Sequence, residues 1–105
     1  MKTIIDILPH EKEFAITGKH IADELGYKSD FDVRKAVNAL RTAGKPICSN
    51  NHGYWLSDDP HEVLETIHGL EHRMEAIAEA CSGLYHWYME EGMWNGDSQD
   101  KDGQP

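Results

Sequence analysis

The spacing of apolar residues changes twice along this chain. In the first part, apolar positions recur three or four residues apart in short groups that contain Ile4, Ile21 and Val33, as on one face of a helix. Between residues 47 and 56, two short runs of strand-forming residues flank a polar turn. From Val63 onward the helical spacing returns and persists for more than three heptads. The pattern predicts a mainly α-helical chain with one small β-hairpin and a long last helix.

Capping and breaking residues set the bounds of the first two helices. The first is predicted over residues 2 to 8, because Pro9 cannot continue a helix. A loop follows, which we expect to reach the core through Phe14 and Ile16. Thr17 is suited to cap a second helix of about two turns.

A short turn joins the second predicted helix to a third. Gly26 is suited to end the second helix, and Ser29 is suited to cap the third. We expect the third helix to run from about Asp30 to Ala43, with Gly44 as its terminator. Two helices joined by a tight, glycine-containing turn form a helix-turn-helix candidate.

The two strand-like runs predict a β-hairpin. Residues 47 to 49 and 54 to 56 are rich in strand formers. Gly53 can adopt a positive φ in the turn between them. The rest of the turn is polar and consists of Asn50, Asn51 and His52.

The last helix has a clear start and a regular apolar seam. Asp59 can cap it, with Pro60 at the first helical position and Glu62 at the third. Steps of four and three residues alternate without a miss, which predicts a coiled-coil-like contact, either with a second copy of the chain or back on its own domain. The seam consists of Val63, Ile67, Leu70, Met74, Ile77, Cys81, Leu84 and Tyr88. An aromatic cluster near the end is expected to pack in the core or at a dimer interface, with a binding patch for a foreign partner as the alternative. It consists of Tyr85, Trp87, Tyr88 and Trp94.

The charge of the chain is unevenly distributed. Its formal net charge is −9, yet the segment from Lys28 to Lys45 holds five basic residues and two acidic ones. From Asp58 to the end, two basic residues stand against twelve acidic ones. This layout indicates either a nucleic-acid-binding face backed by a repelling one, or an acidic surface that is itself the binding face.

The order helix, helix-turn-helix, hairpin and helix is that of a winged-helix domain. Residues 16 to 56 resemble the small winged-helix proteins encoded by tailed bacteriophages and, more distantly, the N-terminal regulatory domain of biotin-ligase repressors. The likeness extends in weaker form over residues 2 to 84. The residues that carry it are Leu40, Arg41, Gly44, Pro46 to Ser49, and Gly53 to Leu56.

The resemblance implies a winged helix-turn-helix fold followed by a long C-terminal helix. We therefore expect a winged-helix domain over residues 1–58, a dimerisation helix over residues 59–91 and a mobile acidic tail over residues 92–105. It also implies a phage-type protein that binds double-stranded DNA. The apolar seam of the last helix predicts that the chain does so as a homodimer, and the lack of a long apolar run predicts that it acts in the bacterial cytoplasm. Such a protein regulates transcription or replication and needs no cofactor.

The face of the third helix opposite its apolar side has the side chains that duplex recognition requires. Lysine and arginine reach phosphates and guanine edges, and asparagine can bind adenine through two hydrogen bonds. The polar turn of the hairpin, the wing, can touch a minor groove or a phosphate, although turn chemistry accounts for it equally well. The expected DNA contacts are Lys28, Ser29, Arg34, Lys35, Asn38, Arg41, Thr42 and Lys45, with Asn50, Asn51 and His52 in the wing.

A protein-binding function is the alternative. Phe31 occupies a DNA-facing position, where an exposed phenylalanine is more typical of a protein contact, and the neighbouring Asp30 and Asp32 repel phosphates. The chain would then be an acidic, DNA-mimicking inhibitor of a host nuclease or defence complex, and it would contact that partner through Phe31 or through the last helix. The acidic side of that helix comprises Glu62, Glu65, Glu71, Glu75 and Glu79.

The sequence gives little support for a metal site, an enzyme, a disulfide framework or a membrane span. His68 and His72 lie one helical turn apart, but without a third ligand at diagnostic spacing a solvated helix face explains them better than a metal site. The motifs of phosphate loops, hydrolases and metalloproteases are absent, so we expect no enzyme. Cys48 and Cys81 have neither the spacing of a redox motif nor the density of a disulfide framework. No apolar run reaches the roughly 18 residues that span a bilayer.

Overall fold

The structure is a computed structural model that describes residues 1–92. The predicted mobile tail, and Trp94 with it, therefore lies outside the described residues apart from Gly92. The elements are α1 (Ile4–Ile7), a 3-10 helix (Lys12–Phe14), α2 (Gly18–Leu25), α3 (Asp30–Thr42), β1 (Ile47–Asn50), β2 (Gly53–Leu56), α4 (Pro60–Trp87) and a short π-helix (Tyr88–Gly92). This order confirms the predicted fold class, a mainly helical winged helix-turn-helix layout with a small hairpin and a long C-terminal helix.

The helix-turn-helix unit is bounded by the caps that the sequence predicts. The Thr17 side chain accepts a hydrogen bond from the backbone N–H of His20 (3.0 Å), and the Ser29 side chain accepts one from Asp32 (3.2 Å). Gly26 ends α2 in the left-handed conformation, with a φ of 83°. Because these caps satisfy backbone groups that the helices leave without partners, they fix where each helix starts or stops.

The hydrophobic core lies between α1, α2, α3 and β1. Ile21, Val33 and Val37 are at most 1% exposed, since helical spacing places them on the inner faces of their helices. Phe14 is 67% exposed, so the prediction that it anchors the first loop in the core is wrong. Ile16 is partly buried against the core, as expected. The remaining core residues are Ile4, Leu8, Ala22 and Ile47.

The antiparallel hairpin has buried side chains on both of its faces. In its register Ile47 is opposite Leu56, and Cys48 is opposite Trp55. Because successive side chains of a strand point to opposite faces, the first pair shares one face and the second pair the other. Ile47 belongs to the helical core, whereas Cys48 and Trp55 are buried on the other face.

The segment before α2 pairs with the outer edge of β2. Ile16 and Tyr54 exchange two backbone hydrogen bonds, of 3.0 and 2.7 Å, and the backbone N–H of Leu56 donates to the carbonyl of Pro9 (2.8 Å). Gly53 permits this close approach. Its φ is 138°, and a Cβ atom at this position would collide with the carbonyl group of Ile16. The segment was predicted to be a loop, and one of its residues, Ile16, forms an isolated antiparallel bridge with Tyr54 of β2.

The first compact unit of the chain extends from Met1 to His68 and includes the first turns of α4. Trp55 Nε1 and Ser57 Oγ both donate hydrogen bonds to Glu62 Oε1, at 2.8 and 2.6 Å. These bonds attach the start of α4 to the end of the hairpin. The unit consequently reaches ten residues beyond the domain boundary predicted at residue 58.

The second compact unit begins at Gly69, and its described part contains the rest of α4 and the π-helix. Every residue from Glu71 to Glu91 is exposed. The seam in this unit is open to solvent in the single chain, with Met74 62%, Ile77 60% and Leu84 71% exposed. No helix within residues 1–92 is long and apolar enough to cross a membrane.

Candidate nucleic-acid interface

The outer face of α3 carries the central residues of the candidate interface. Val33 and Val37 on its inner face are almost completely buried, which fixes how the helix is rotated about its axis. Arg34, Lys35 and Asn38 are exposed on the remaining surface, as the helical wheel predicts. The structure thus brings two cations and one amide together on one rigid helix.

Two further lysines flank the ends of α3. Lys28 precedes the helix and Lys45 follows it, and both are exposed. In the part of the chain that the structure describes, neither lysine forms an ion pair with a carboxylate. Their charges are therefore available to an anionic ligand.

The first turn of α3 contains a hydroxyl and a partly compensated carboxylate. The Ser29 oxygen accepts the capping hydrogen bond from Asp32, so its own proton can be donated to a phosphate. The Asp30 carboxylate lies against Gly18 at the start of α2, where a Cβ atom would collide with it. It also lies 3.8 Å from Arg34. The exposed pair with Arg34 is weak, and it leaves the guanidinium free to exchange partners.

Phe31 and Lys35 form an exposed pair one turn apart. The Phe31 side chain is 58% exposed, and the Lys35 ammonium lies 5.7 Å from the centre of its ring. A lysine over an aromatic face is a cation–π contact, worth about 0.5–1 kcal/mol at an exposed site. Phe31 is therefore a surface residue next to the cations, as predicted. A ligand that binds this face of α3 would contact both the Phe31 ring and the Lys35 ammonium.

Arg41, which the sequence predicts as a DNA contact, has a role in the fold. It is half-buried, its Nε donates to the carbonyl of Ile47 (2.8 Å), and a terminal nitrogen donates to the Ser49 hydroxyl (3.1 Å). These two donors are thus engaged within the protein and not available to DNA. The signal was present in the sequence, because Arg41 is four residues after the buried Val37 and so lies at the edge of the inner face.

The Arg41 contacts also occupy the outer edge of β1. Beside them, the backbone N–H of Ser49 donates to the hydroxyl of Thr66 in α4 (3.3 Å). At the end of α3, the Thr42 hydroxyl donates to the backbone carbonyl of Asn38 (2.9 Å), so its proton is engaged as well. Of the predicted α3 contacts, Arg41 is thus half-buried with donors engaged by the protein, and Thr42 is exposed but uses its hydroxyl proton within its own helix.

The wing is short and uncharged. Its three predicted residues are exposed, and the Asn50 side chain accepts a hydrogen bond from the backbone N–H of His52 (2.8 Å), which closes the turn. Each strand has four residues, and none of residues 47 to 56 is a lysine or an arginine. The wing thus offers Asn51 and His52 side chains for contacts but adds no permanent positive charge.

The acidic side of α4 is smaller than predicted. Glu62 is half-buried and accepts the hydrogen bonds of Ser57 and Trp55, which hold the pKa of its carboxyl group below the ordinary value. It is therefore a structural residue and not a free surface charge. The exposed carboxylates of this side are Glu65, Glu71, Glu75 and Glu79.

The histidines and cysteines do not gather into a further site. His72 lies 4.0 Å from Glu75, and no group of three or more potential metal ligands occurs within residues 1–92. Cys48 is buried and Cys81 is exposed, and both are free thiols.

No family model, no curated protein and no solved structure matches the chain.

Proposed function

We propose that this chain is a phage-type winged-helix DNA-binding protein that acts as a homodimer in the bacterial cytoplasm and regulates transcription or replication. In this proposal α3 is the recognition helix and lies in the major groove. Lys28, Arg34, Lys35 and Lys45 bind phosphates or guanine edges, and Asn38 reads adenine. The proposal requires no cofactor and no catalytic step.

The observation that carries the proposal is the exposed face of α3. Arg34, Lys35 and Asn38 lie opposite two buried valines, in a helix whose start is capped and whose far end is joined to the hairpin by Arg41. A helix held in a fixed position supports recognition, because its side chains must be aligned with particular base edges to contact them.

A single protomer has few cations with which to bind DNA. Four exposed cations remain on or beside α3, against a net charge of −9. Each neutralised phosphate contributes about 0.9 to the salt slope of affinity, so one protomer binds duplex DNA weakly and two protomers double the slope. The apolar seam of α4, which is exposed at Met74, Ile77 and Leu84, is the surface through which we propose that a second copy binds.

Salt-dependent duplex binding tests this proposal. We expect the chain to bind mixed-sequence and genomic fragments at about 50 mM salt and to lose affinity steeply as salt rises. Arg34→Glu combined with Lys35→Glu should abolish binding. The matched control, Lys2→Glu combined with Lys12→Glu, changes the net charge by the same amount outside α3 and should retain most of the binding. Absence of binding by the unaltered chain at low salt contradicts the proposal.

A second candidate function is inhibition of a host nuclease or defence complex by charge mimicry. It is favoured by the exposure of Phe31 and by the four exposed carboxylates on α4. A basic nucleic-acid-binding cleft is the complementary surface for such a helix.

Inhibition of a purified, sequence-nonspecific bacterial nuclease separates the two functions. The second candidate predicts that the chain slows cleavage without binding the DNA. It also predicts that Glu71→Gln, Glu75→Gln and Glu79→Gln together remove the inhibition. A nuclease rate that the chain leaves unchanged, alongside direct duplex binding, favours the first function.

A further inference from the structure

An apolar groove lies on the first compact unit, beside the start of α4. Its volume is about 490 Å³, and its lining is mainly apolar. Leu64 and Ile67 in its wall are 49% and 42% exposed. The apolar residues that form it are Pro46, Pro60, Val63, Leu64 and Ile67.

The groove is continuous with the seam of α4. Val63 and Ile67 are the first two seam positions and also line the groove. A helix that packs on these two seam positions therefore contacts two residues of the groove lining.

The other end of the seam carries large aromatic side chains. Tyr85 and Tyr88 are 69% and 50% exposed, and their rings meet edge to face with centres 6.4 Å apart. Leu84, the seam residue one turn before Tyr88, is 71% exposed. The N-terminal end of the seam thus borders the apolar groove, and its C-terminal end carries large, exposed apolar side chains.

We propose that α4 pairs with α4 of a second copy in antiparallel orientation, so that the aromatic end of each helix fills the groove of the other. The inference rests on the proposed self-association and not on DNA binding. In the register that uses the whole seam, Val63 faces Tyr88 of the second copy, Ile67 faces Leu84, Leu70 faces Cys81, and Met74 faces Ile77.

Side-chain size favours this orientation. Antiparallel pairing places the small Val63 against the large Tyr88, and it places Leu64, which flanks the seam, against Tyr85. Parallel pairing in register places Tyr88 against Tyr88 and leaves the groove side of Leu64 without a partner. Efficient packing requires large side chains to meet small ones, which the antiparallel register provides.

The charges of α4 permit two copies of this acidic helix to approach. Glu71 and Arg73 flank the seam, and in the antiparallel register they face Ala78 and Ala80 of the second copy. Glu65 and Glu79 lie on the side of the helix away from the seam, by their heptad positions. No like charges therefore meet across the pair.

The exposed apolar area of this face is comparable with the area of a standard interface. Seven apolar side chains of this face are between 42% and 71% exposed: Leu64, Ile67, Met74, Ile77, Leu84, Tyr85 and Tyr88. Together they present on the order of 800 Å² per protomer, which is the area that each partner buries in a standard interface. An antiparallel pair is related by a twofold axis, so both copies of the groove are filled and the assembly closes as a dimer.

Disulfide trapping tests the orientation, because Cys81 is an exposed seam residue whereas Cys48 is buried. In the antiparallel register the two Cys81 residues are separated by roughly 16 Å along the axis, so the unaltered chain should not crosslink on mild oxidation. Leu70→Cys places a thiol opposite Cys81 of the second copy and should give a covalent dimer. Adding Cys81→Ser to Leu70→Cys should abolish that crosslink.

A parallel pair gives the opposite pattern and overturns the proposal. The unaltered chain would then crosslink through Cys81, and Leu70→Cys would still crosslink in the Cys81→Ser background. If Leu70→Cys lowers the helix content, separately purified Val63→Cys and Tyr88→Cys proteins, both with Cys81→Ser, replace it. Only their mixture should give a dimer that contains one chain of each.

Mass in solution completes the test. Leu64→Arg in the groove should raise the dimer dissociation constant at least tenfold, whereas Glu65→Arg, on the outer side of α4, should leave it within about twofold. A chain that sediments only as a monomer at micromolar concentration overturns the inference. Duplex binding, measured on the same samples, reports separately on the proposed function.

Discussion

The indole Nε1 of Trp55 donates a hydrogen bond of 2.8 Å to the carboxylate of Glu62, and the Ser57 hydroxyl donates to the same oxygen at 2.6 Å. The Ser57 oxygen in turn accepts a hydrogen bond from the backbone N–H of Asp59 (2.9 Å). A single carboxylate thus ties β2, the loop after it and the first turn of α4 together. Since Trp55 is buried, its N–H has to find a partner within the protein, and Glu62 provides it.

This carboxylate should make stability depend on pH. Its pKa is lowered in the folded state by the bonds from Ser57 and Trp55, so its contribution is present above the unfolded-state pKa of about 4.3 and is lost as pH falls through the folded-state value. Glu62→Gln should therefore lower the free energy of unfolding at neutral pH and flatten its decline in acid. Urea denaturation across this range measures both effects. Glu79→Gln, at an exposed position, should change neither.

Arg41 should matter for folding. Arg41→Ala leaves the carbonyl of Ile47 and the hydroxyl of Ser49 without their donors, at a cost of about 1–3 kcal/mol. Arg41→Lys should recover only part of the loss, because an ammonium group cannot reproduce the planar fork. Chemical denaturation measures the difference. Arg34→Ala, which removes only an exposed ion pair, should stay within about 0.5 kcal/mol of the parent; an equal loss in both variants refutes the assignment.

Two glycines provide a matched pair for backbone effects. Gly53→Ala should destabilise the fold by about 2 kcal/mol or more, because φ is 138° and the new Cβ atom meets the Ile16 carbonyl. Gly69→Ala meets nothing within 4 Å and lies inside α4. It should stabilise the chain by up to about 1 kcal/mol. Thermal unfolding of both variants measures the contrast, and a neutral Gly53→Ala would contradict the close approach of the two segments.

Asn38 and Lys35 should affect DNA binding differently. Asn38→Ala should cost about 1–3 kcal/mol on a selected duplex and relax the preference at one base pair. Lys35→Ala should weaken all duplexes uniformly and reduce the salt slope by about 1. Affinities for the selected duplex and for scrambled duplexes, each at several salt concentrations, measure both effects. If Asn38→Ala weakens all duplexes equally, the residue does not read a base.

The sequence predicted those features of the fold that depend on short-range chemistry. The Thr17 and Ser29 caps act within three residues, and the third helix, predicted from Asp30 to Ala43, runs from Asp30 to Thr42. Such signals survive any change in tertiary packing, since all the groups involved belong to one turn.

Features that depend on packing between distant segments could not be predicted in the same way. Hydrophobicity alone suggested that Phe14 is buried, but the turn in which it lies leaves it exposed. Arg41 reaches Ser49 only because α3 and β1 lie side by side. For the candidate site, the sequence supplied the set of cations, but only the fold separated the exposed Arg34 and Lys35 from the engaged Arg41.

The hydrogen bonds along the hairpin have a consequence for aggregation. On the outer side of β2, the backbone groups of Tyr54 and the N–H of Leu56 are bonded to the segment that precedes α2. On the outer side of β1, the Ile47 carbonyl and the Ser49 N–H are bonded to the side chains of Arg41 and Thr66. An exposed strand edge is the usual template for adding a foreign strand or nucleating cross-β fibrils. At these positions the backbone groups on the outer edges are already hydrogen-bonded within the protein, so they are not available to a foreign strand. This protects the two-stranded sheet against fibril growth.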